Sequence, residues 1–301
     1  MKRFLKWAGA VTLVGLTVTA VIAAWAYSRA MGKVNRKWEL SPAPLKVPDD
    51  PESAKEGERL FAARGCKKCH GADAAGVLIL DVPAMGTVYG ANLTRGQGSA
   101  VANYNDADWV RTVRHGVKPS GYPTQVMDSK EYQFITDRDL GLIVAYLRSV
   151  PPVDRQNPPF RITALSYIFH GLGMLDVTSA DQVDHERKND DVPAPSAAPE
   201  FGQYVVRLQC QQCHGDTLSG GKLSGAPGLA IPLNLTPDEE TGLGKWTFSE
   251  FAVAMRTGKR PDGRVLDSLM PWDVYASMSD DELTAIWTFL RSQPPRKFGG
   301  R

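Results

Sequence analysis

Cysteine is scarce in this chain of 301 residues: there are four, Cys66, Cys69, Cys210 and Cys213. They fall in two pairs at the spacing C-x-x-C, so once both pairs are committed nothing remains for a disulfide framework. A strong excess of either charge is also lacking. The formal net charge of +2 excludes no partner by itself, and no nucleic-acid partner is expected. Long uncharged runs are rare too. Residues 8–27 form the one run that could cross a ~30 Å hydrocarbon core at ~1.5 Å per helical residue. The apolar stretch 160–170 is too short and too charged to span a bilayer.

Each cysteine pair runs directly into a histidine, as Cys66-Lys67-Lys68-Cys69-His70 and Cys210-Gln211-Gln212-Cys213-His214. Two thiols three apart can each close a thioether bond to one haem vinyl group, and the next histidine then reaches the iron. Two covalently bound haem c are therefore expected. A zinc ion on four thiolates, or a redox dithiol, is the alternative. It leaves both adjoining histidines unexplained.

The two motifs open two related halves. Asn92-Leu93-Thr94 recurs as Asn234-Leu235-Thr236, and Trp109-x4-Arg114-x-Gly116 as Phe251-x4-Arg256-x-Gly258. Tyr146-Leu147-Arg148-Ser149 and Phe289-Leu290-Arg291-Ser292 each precede a Pro-Pro pair. A repeat this long means two domains rather than a solenoid. The divisions read as an anchor at 1–27, a stalk at 28–49, a first domain at 50–152, a linker at 153–199, a second domain at 200–296 and a tail at 297–301. In each domain a small residue precedes the motif, Gly57 before Phe61 and Gly202 before Val206. The last helix of each domain opens at Thr136 or Ser279, with an acid three residues later as in a capping box. Leu140, Ile143, Val144 and Leu147 then make one apolar stripe, matched by Leu283, Ile286, Trp287 and Leu290. Both domains are read as mostly helical, with haem at the centre of a small core.

The N-terminal run follows Lys2, Arg3 and Lys6 and has Trp7, Trp25 and Tyr27 at its ends, where aromatic rings favour the interface. It exceeds the ~7–15 residues of a signal-peptide core, so a retained anchor is preferred to cleavage after Ala24-Trp25-Ala26. Residues 41–51, rich in proline, read as a stiff extended stalk, and the whole of 27–50 would reach up to roughly 70 Å if polyproline-like. Residues 160–170 are expected to lie over the first domain or between the domains. A membrane-surface or partner-binding element is the other reading. The first 49 residues carry eight Lys or Arg against two acids, and 200–295 carry eight against twelve. The basic start suits a membrane surface, and the acidic face is ordinary solvated surface or a dock for a basic partner.

Taken together, 50–152 and 200–296 each resemble a class I cytochrome c. The resemblance implies a mainly α fold: two tandem class I cytochrome c domains with an N-terminal transmembrane helix. More specifically, the chain resembles cytochrome c subunits of membrane-bound alcohol dehydrogenases, which share the Asn-Leu-Thr loop, the Arg-x-Gly-x-x-Pro-Asp-Gly run and a Met-Pro ligand. Those usually carry three haems, and this chain has two motifs. The resemblance also implies that Gly57 with Tyr146, and Gly202 with Phe289, let the terminal helices cross closely. It places haem attachment in the periplasm, hence a single-pass protein of the inner membrane.

For the sixth iron ligand the family's Met-Pro falls on Met270-Pro271; Met255 and Met278 compete. In the first domain Met127 stands at nearly the same distance after its motif, followed by Asp128 rather than proline. Met85 competes there. The expected site is thus Cys66, Cys69, His70 and Met127, with Cys210, Cys213, His214 and Met270. His115 is read as a surface or propionate-side residue, and His170 and His185 as structural. Asn92 and Asn234, with Tyr104 and Trp246, either face haem propionates or brace their loops. Histidine–methionine ligation favours a raised potential and electron transfer. The expected protein is not an enzyme but a relay between a respiratory or dehydrogenase complex and a terminal oxidase or soluble cytochrome. A di-haem peroxidase or thiosulfate-oxidising cytochrome is the alternative.

Overall fold

The structure is a computed structural model and describes residues 2–187, 192–221 and 231–300. Helix α1 (Lys2–Val34) carries the uncharged run and continues beyond it. The first domain follows with α2 (Pro51–Ala63), α3 (Cys66–His70), strands β1 (Leu78–Val82) and β2 (Gly86–Tyr89), α4 (Asp106–Val113), α5 (Ser129–Tyr132) and α6 (Asp137–Ser149). After it come β3 (Arg161–Ile162) and α7 (Ala164–Gly171). The second domain has α8 (Pro199–Gln209), α9 (Gln211–His214), α10 (Phe248–Thr257), α11 (Trp272–Tyr275) and α12 (Asp280–Ser292).

Element by element the two domains repeat. Asp50 caps α2 by accepting from Ser53 N at 2.8 Å. At α12 the box is complete: Ser279 Oγ accepts from Glu282 N, and Glu282 accepts from Ser279 N at 2.8 Å. At α6 only half of it forms, Thr136 accepting from Asp139 N, because the Asp139 carboxylate is engaged elsewhere. The loops after α4 and α10 close by equivalent antiparallel bridges, Val117 with Pro123 and Lys259 with Val265. Each turns on a glycine in the left-handed region, Gly121 and Gly263, where a side chain would be strained.

Helix α2 packs on α6, and α8 on α12. At these crossings glycine is required by space. A Cβ on Gly57 would lie 1.9 Å from Leu142 O and 2.9 Å from Tyr146 Cβ; on Gly202 it would lie 2.0 Å from Ala285 O. The neighbours of Gly202 are thus Ala285 and Ile286, one turn before Phe289. Gly202→Ala should therefore destabilise the second domain by about 1–3 kcal/mol, as overpacking does. That outweighs the ~1 kcal/mol gained in helix propensity. Thermal unfolding of the haem-loaded protein checks this, and a raised midpoint would refute so close a crossing.

The structure adds a small sheet to the mainly α fold and corrects the reading of residues 28–49 as a free stalk. Strands were not foreseen, yet β1–β2–β3 make a small antiparallel sheet between the first motif and its Asn-Leu-Thr loop, with the linker as third strand. Nor is the stalk free. Trp38 N donates to Gly121 O at 2.9 Å, Arg111 Nε to Leu40 O at 3.1 Å, and Leu45 is buried in the first domain's core. Its apolar side chains gain by leaving water, so an extended stretch that is polyproline-like in composition becomes a strap. The helix before it runs to Val34 rather than ending at residue 27.

Candidate functional site

Each C-x-x-C-H motif is a short helix following the first long helix of its domain. Both end at a glycine with positive φ, Gly71 and Gly215. Chain reversal there turns each histidine towards the loop of its Asn-Leu-Thr motif. His70 Nδ1 lies 2.9 Å from Ala91 O, and His214 Nδ1 lies 2.7 Å from Leu233 O. A carbonyl can only accept, so Nδ1 carries the proton and Nε2 keeps its lone pair for a metal. Burial also holds the His70 imidazole below its ordinary pKa, which keeps it neutral.

The cysteines read differently from a reactive or metal-chelating set. Burial pushes the Cys66 and Cys210 thiols up to about 12, away from the thiolate that disulfide exchange requires. Among the described residues no cluster of three or more His, Cys, Asp or Glu side chains could hold a metal ion. Four-thiolate zinc finds no support in this geometry.

In the second domain Cys210, Cys213, His214 and Met270 line one cavity of about 360 Å³, walled by apolar side chains such as Leu235, Trp246 and Phe251. A flat, largely apolar macrocycle suits that lining. So does Arg260 in the wall, whose Nε is buried with no partner among the described residues, where a haem propionate would supply an acceptor. Met255 also lines the cavity, from α10, but its counterpart in the first domain is Val113. Met278 is buried in the hydrophobic core.

Tyrosine ties each methionine loop to its haem motif. Tyr132, five residues after Met127, donates to Arg64 O at 2.9 Å; Tyr275, five after Met270, donates to Gln209 O at 3.0 Å. Sequence reasoning missed this pair, although its spacing repeats. Met85 is turned the other way: its carbonyl and sulfur both accept from Ser166 Oγ in α7, at 2.7 and 3.6 Å. Met127 is fixed through its own carbonyl, which accepts from Ser179 Oγ at 3.1 Å.

Asn92 and Asn234 brace their loops. Each Oδ1 accepts from the N–H and hydroxyl of the threonine two residues on, and each Nδ2 donates to a carbonyl beyond the last helix, Val153 O or Arg296 O. His115 and His185 meet, Nδ1 to Nδ1 at 3.1 Å, with His185 also against the Trp38 ring. These contacts hold linker and strap onto the first domain.

The domains are joined at the haem motifs. Arg64, two residues before Cys66 and fully buried, binds Asp139 at 2.9 Å and Glu282 at 2.7 Å. Gln209 Nε2 donates to Ala63 O at 2.7 Å, and Gln212 Nε2 to Asp128 Oδ2 at 2.8 Å. The second motif thus touches both the first motif's approach and the Met127 loop.

Residues 54–151 match the cytochrome c family. The chain is 26% identical to the fructose dehydrogenase cytochrome subunit of Gluconobacter japonicus, over 83% of this chain and 54% of that one. It is 28% identical to the gluconate 2-dehydrogenase cytochrome c subunit of Pantoea cypripedii, over 79% of this chain and 59% of that one. A diheme cytochrome c-type protein of Cereibacter sphaeroides is 26% identical over 82% of this chain and 90% of its own length. The chain spans little more than half the length of the two dehydrogenase subunits. Residues 54–151 form a cytochrome c domain, and the chain as a whole is similar over most of its length to cytochrome subunits of dehydrogenases.

Proposed function

We propose that the chain is a membrane-anchored, periplasmic di-haem cytochrome c that relays single electrons from a dehydrogenase or respiratory complex to an acceptor. Its domains are taken as 50–152 and 200–296, and its axial pairs as His70 with Met127 and His214 with Met270. The observation that carries this reading is the doubled geometry. Twice, a histidine with its Nδ1 proton fixed on a carbonyl is followed by a methionine loop tied by tyrosine to the start of the same motif.

Bound haem supplies a reversible one-electron centre at each site. The protein's part is to hold it. Two cysteines would fix each macrocycle, and the histidine Nε2 and the methionine thioether would hold its iron, the neutral thioether favouring the reduced state. The apolar cavity wall keeps water away. Ile231, Leu233 and Leu269 border the second cavity and are exposed, which makes that opening the natural edge for electron exchange with a partner. The first domain's methionine loop is held by Val177 and Ser179 of the linker and by Gln212 of the second motif.

Retention of α1 is supported by its packing. Ala26 and Ala30 are fully buried, and Lys33 binds Asp181 at 2.6 Å. Cleavage after Ala26 would take Ala26 out of that packing and leave Ala30 and Lys33 on a truncated helix end.

Denatured protein should keep two haems per chain. Met270→His and Met127→His should each leave a six-coordinate haem with a lowered potential and remove one share of the weak far-red band that reports methionine on ferric iron. If Met127→Ala leaves that band whole while Met85→Ala halves it, the first axial pair is wrong.

A further inference from the structure

Helix α1 is exposed along almost all of its length, with Val11, Leu13, Val14 and Leu16 each more than 60% accessible. Its one packed stretch surrounds Ala26 and Ala30, and what covers it is α7. The approach is as close as backbones allow: a Cβ on Gly171 would lie 1.8 Å from Ala26 O. Arg29 donates to Gly171 O at 3.1 Å, and the Tyr27 and Tyr167 rings meet edge to face at 6.1 Å. Ala26 to Ala30 is about 6 Å of helix axis. Helix α7 is therefore held at the level where the uncharged run ends and the first charge, Arg29, begins.

The chain around α7 is unlike the rest of the linker. Residues 163–175 contain no Asp, Glu, Lys or Arg, and Leu165, Leu172 and Met174 are exposed at 41%, 38% and 39%. The apolar surface continues onto the sheet. Thr163 Oγ1 donates to Ala84 O and Ser166 Oγ to Met85 O, both at 2.7 Å, so the β1–β2 turn sits on the start of α7. From β1, Leu78, Ile79 and Val82 are exposed, with the Asp81 carboxylate exposed between them.

We infer that this face, α7 with β1, rests in the headgroup region of the bilayer as a second membrane contact. The inference rests on the reading of α1 as an anchor. If lipid surrounds residues 8–27, it must also meet whatever is clamped to Ala26, and the element clamped there shows lipid-compatible side chains. A soluble domain carried on a tether would not need them. Helix α7 is amphipathic in the required sense: Ser166, His170 and Gly171 are buried towards the protein, while Leu165 and Leu172 face out. Anchor and platform together fix the orientation of the first domain over the membrane, because strap, linker and α7 all bind that domain.

The test uses the full-length, haem-loaded protein in vesicles of phosphatidylethanolamine and phosphatidylglycerol. The photoreactive residue benzoylphenylalanine replaces Leu165, Leu172 or Ile79 singly, with Val14 as the anchor reference and Lys55, exposed on α2, as background. Illumination should give phospholipid adducts at Leu165, Leu172 and Ile79 clearly above Lys55. Background labelling at all three with strong labelling at Val14 overturns the platform and leaves the anchor standing. Background labelling at Val14 as well removes both. A protein adduct in place of lipid at Leu165 in native membranes also overturns the inference, in favour of a partner subunit.

Discussion

Arg64→Leu is expected to unseat the two haem domains from each other and to cost about 3–5 kcal/mol, the range for breaking a buried ion pair from one side. The side chains of Arg64, Asp139 and Glu282 are 0%, 2% and 1% exposed. Removing the guanidinium leaves two carboxylates facing each other out of water. Arg59 still reaches Glu282 at 2.5 Å and the half-exposed Arg138 still reaches Asp139 at 3.0 Å, but neither bridges the two carboxylates as Arg64 does. Tyr204 Oη, which donates to Asp139 at 2.9 Å, cannot neutralise it. Urea unfolding of the haem-loaded protein in detergent should show an earlier transition that splits in two, because uncoupled domains no longer melt as a unit. Haem content and both methionine bands should survive, since the Arg64 side chain lies outside the second domain's cavity and makes no hydrogen bond to Met127 or His70. A variant with the parent's midpoint would mean that the ion pairs are not what joins the domains.

That interface explains part of what sequence reading reached and what it missed. Asp139 and Glu282 are visible in sequence as the third residues of the two last helices, and capping accounts for them there. Their second role needs the domains face to face, which no local pattern encodes. The same holds for Arg64: near a lysine-rich motif it reads as one more basic surface residue. The haem motifs, the glycine crossings and the caps were legible because each depends on neighbours a few residues away or repeats in both halves. The hairpin at 78–89 was not, since Leu78-Ile79-Leu80 is a plain apolar run and its pairing partner in the linker lies some seventy residues on. The strap failed for the opposite reason. Its prolines do keep it extended, but extension says nothing about whether Leu45 and Trp38 find a surface to cover.

Acid is expected to open the same contact, in a direction that can be worked out from Glu282. Burial alone would raise its pKa. The charges of Arg64 and Arg59, with the Ser279 N–H, outweigh burial and hold it at about 2, below the ordinary 4.5. A carboxylate depressed in the folded state contributes stability that is complete above its unfolded pKa and fades as pH falls towards the folded one. The difference corresponds to about 3 kcal/mol, of which about 2 kcal/mol should be gone by about pH 3. Glu282→Gln keeps the shape and some hydrogen bonding but not the charge. It should be weaker than the parent at neutral pH, and the gap between the two should close as the pH falls from about 5 to about 2. Urea midpoints measured side by side across that window decide the matter. A gap that stays constant would show that Glu282 supports the interface by packing and hydrogen bonds alone, and that its charge on Arg64 and Arg59 adds nothing to the join between the haem domains.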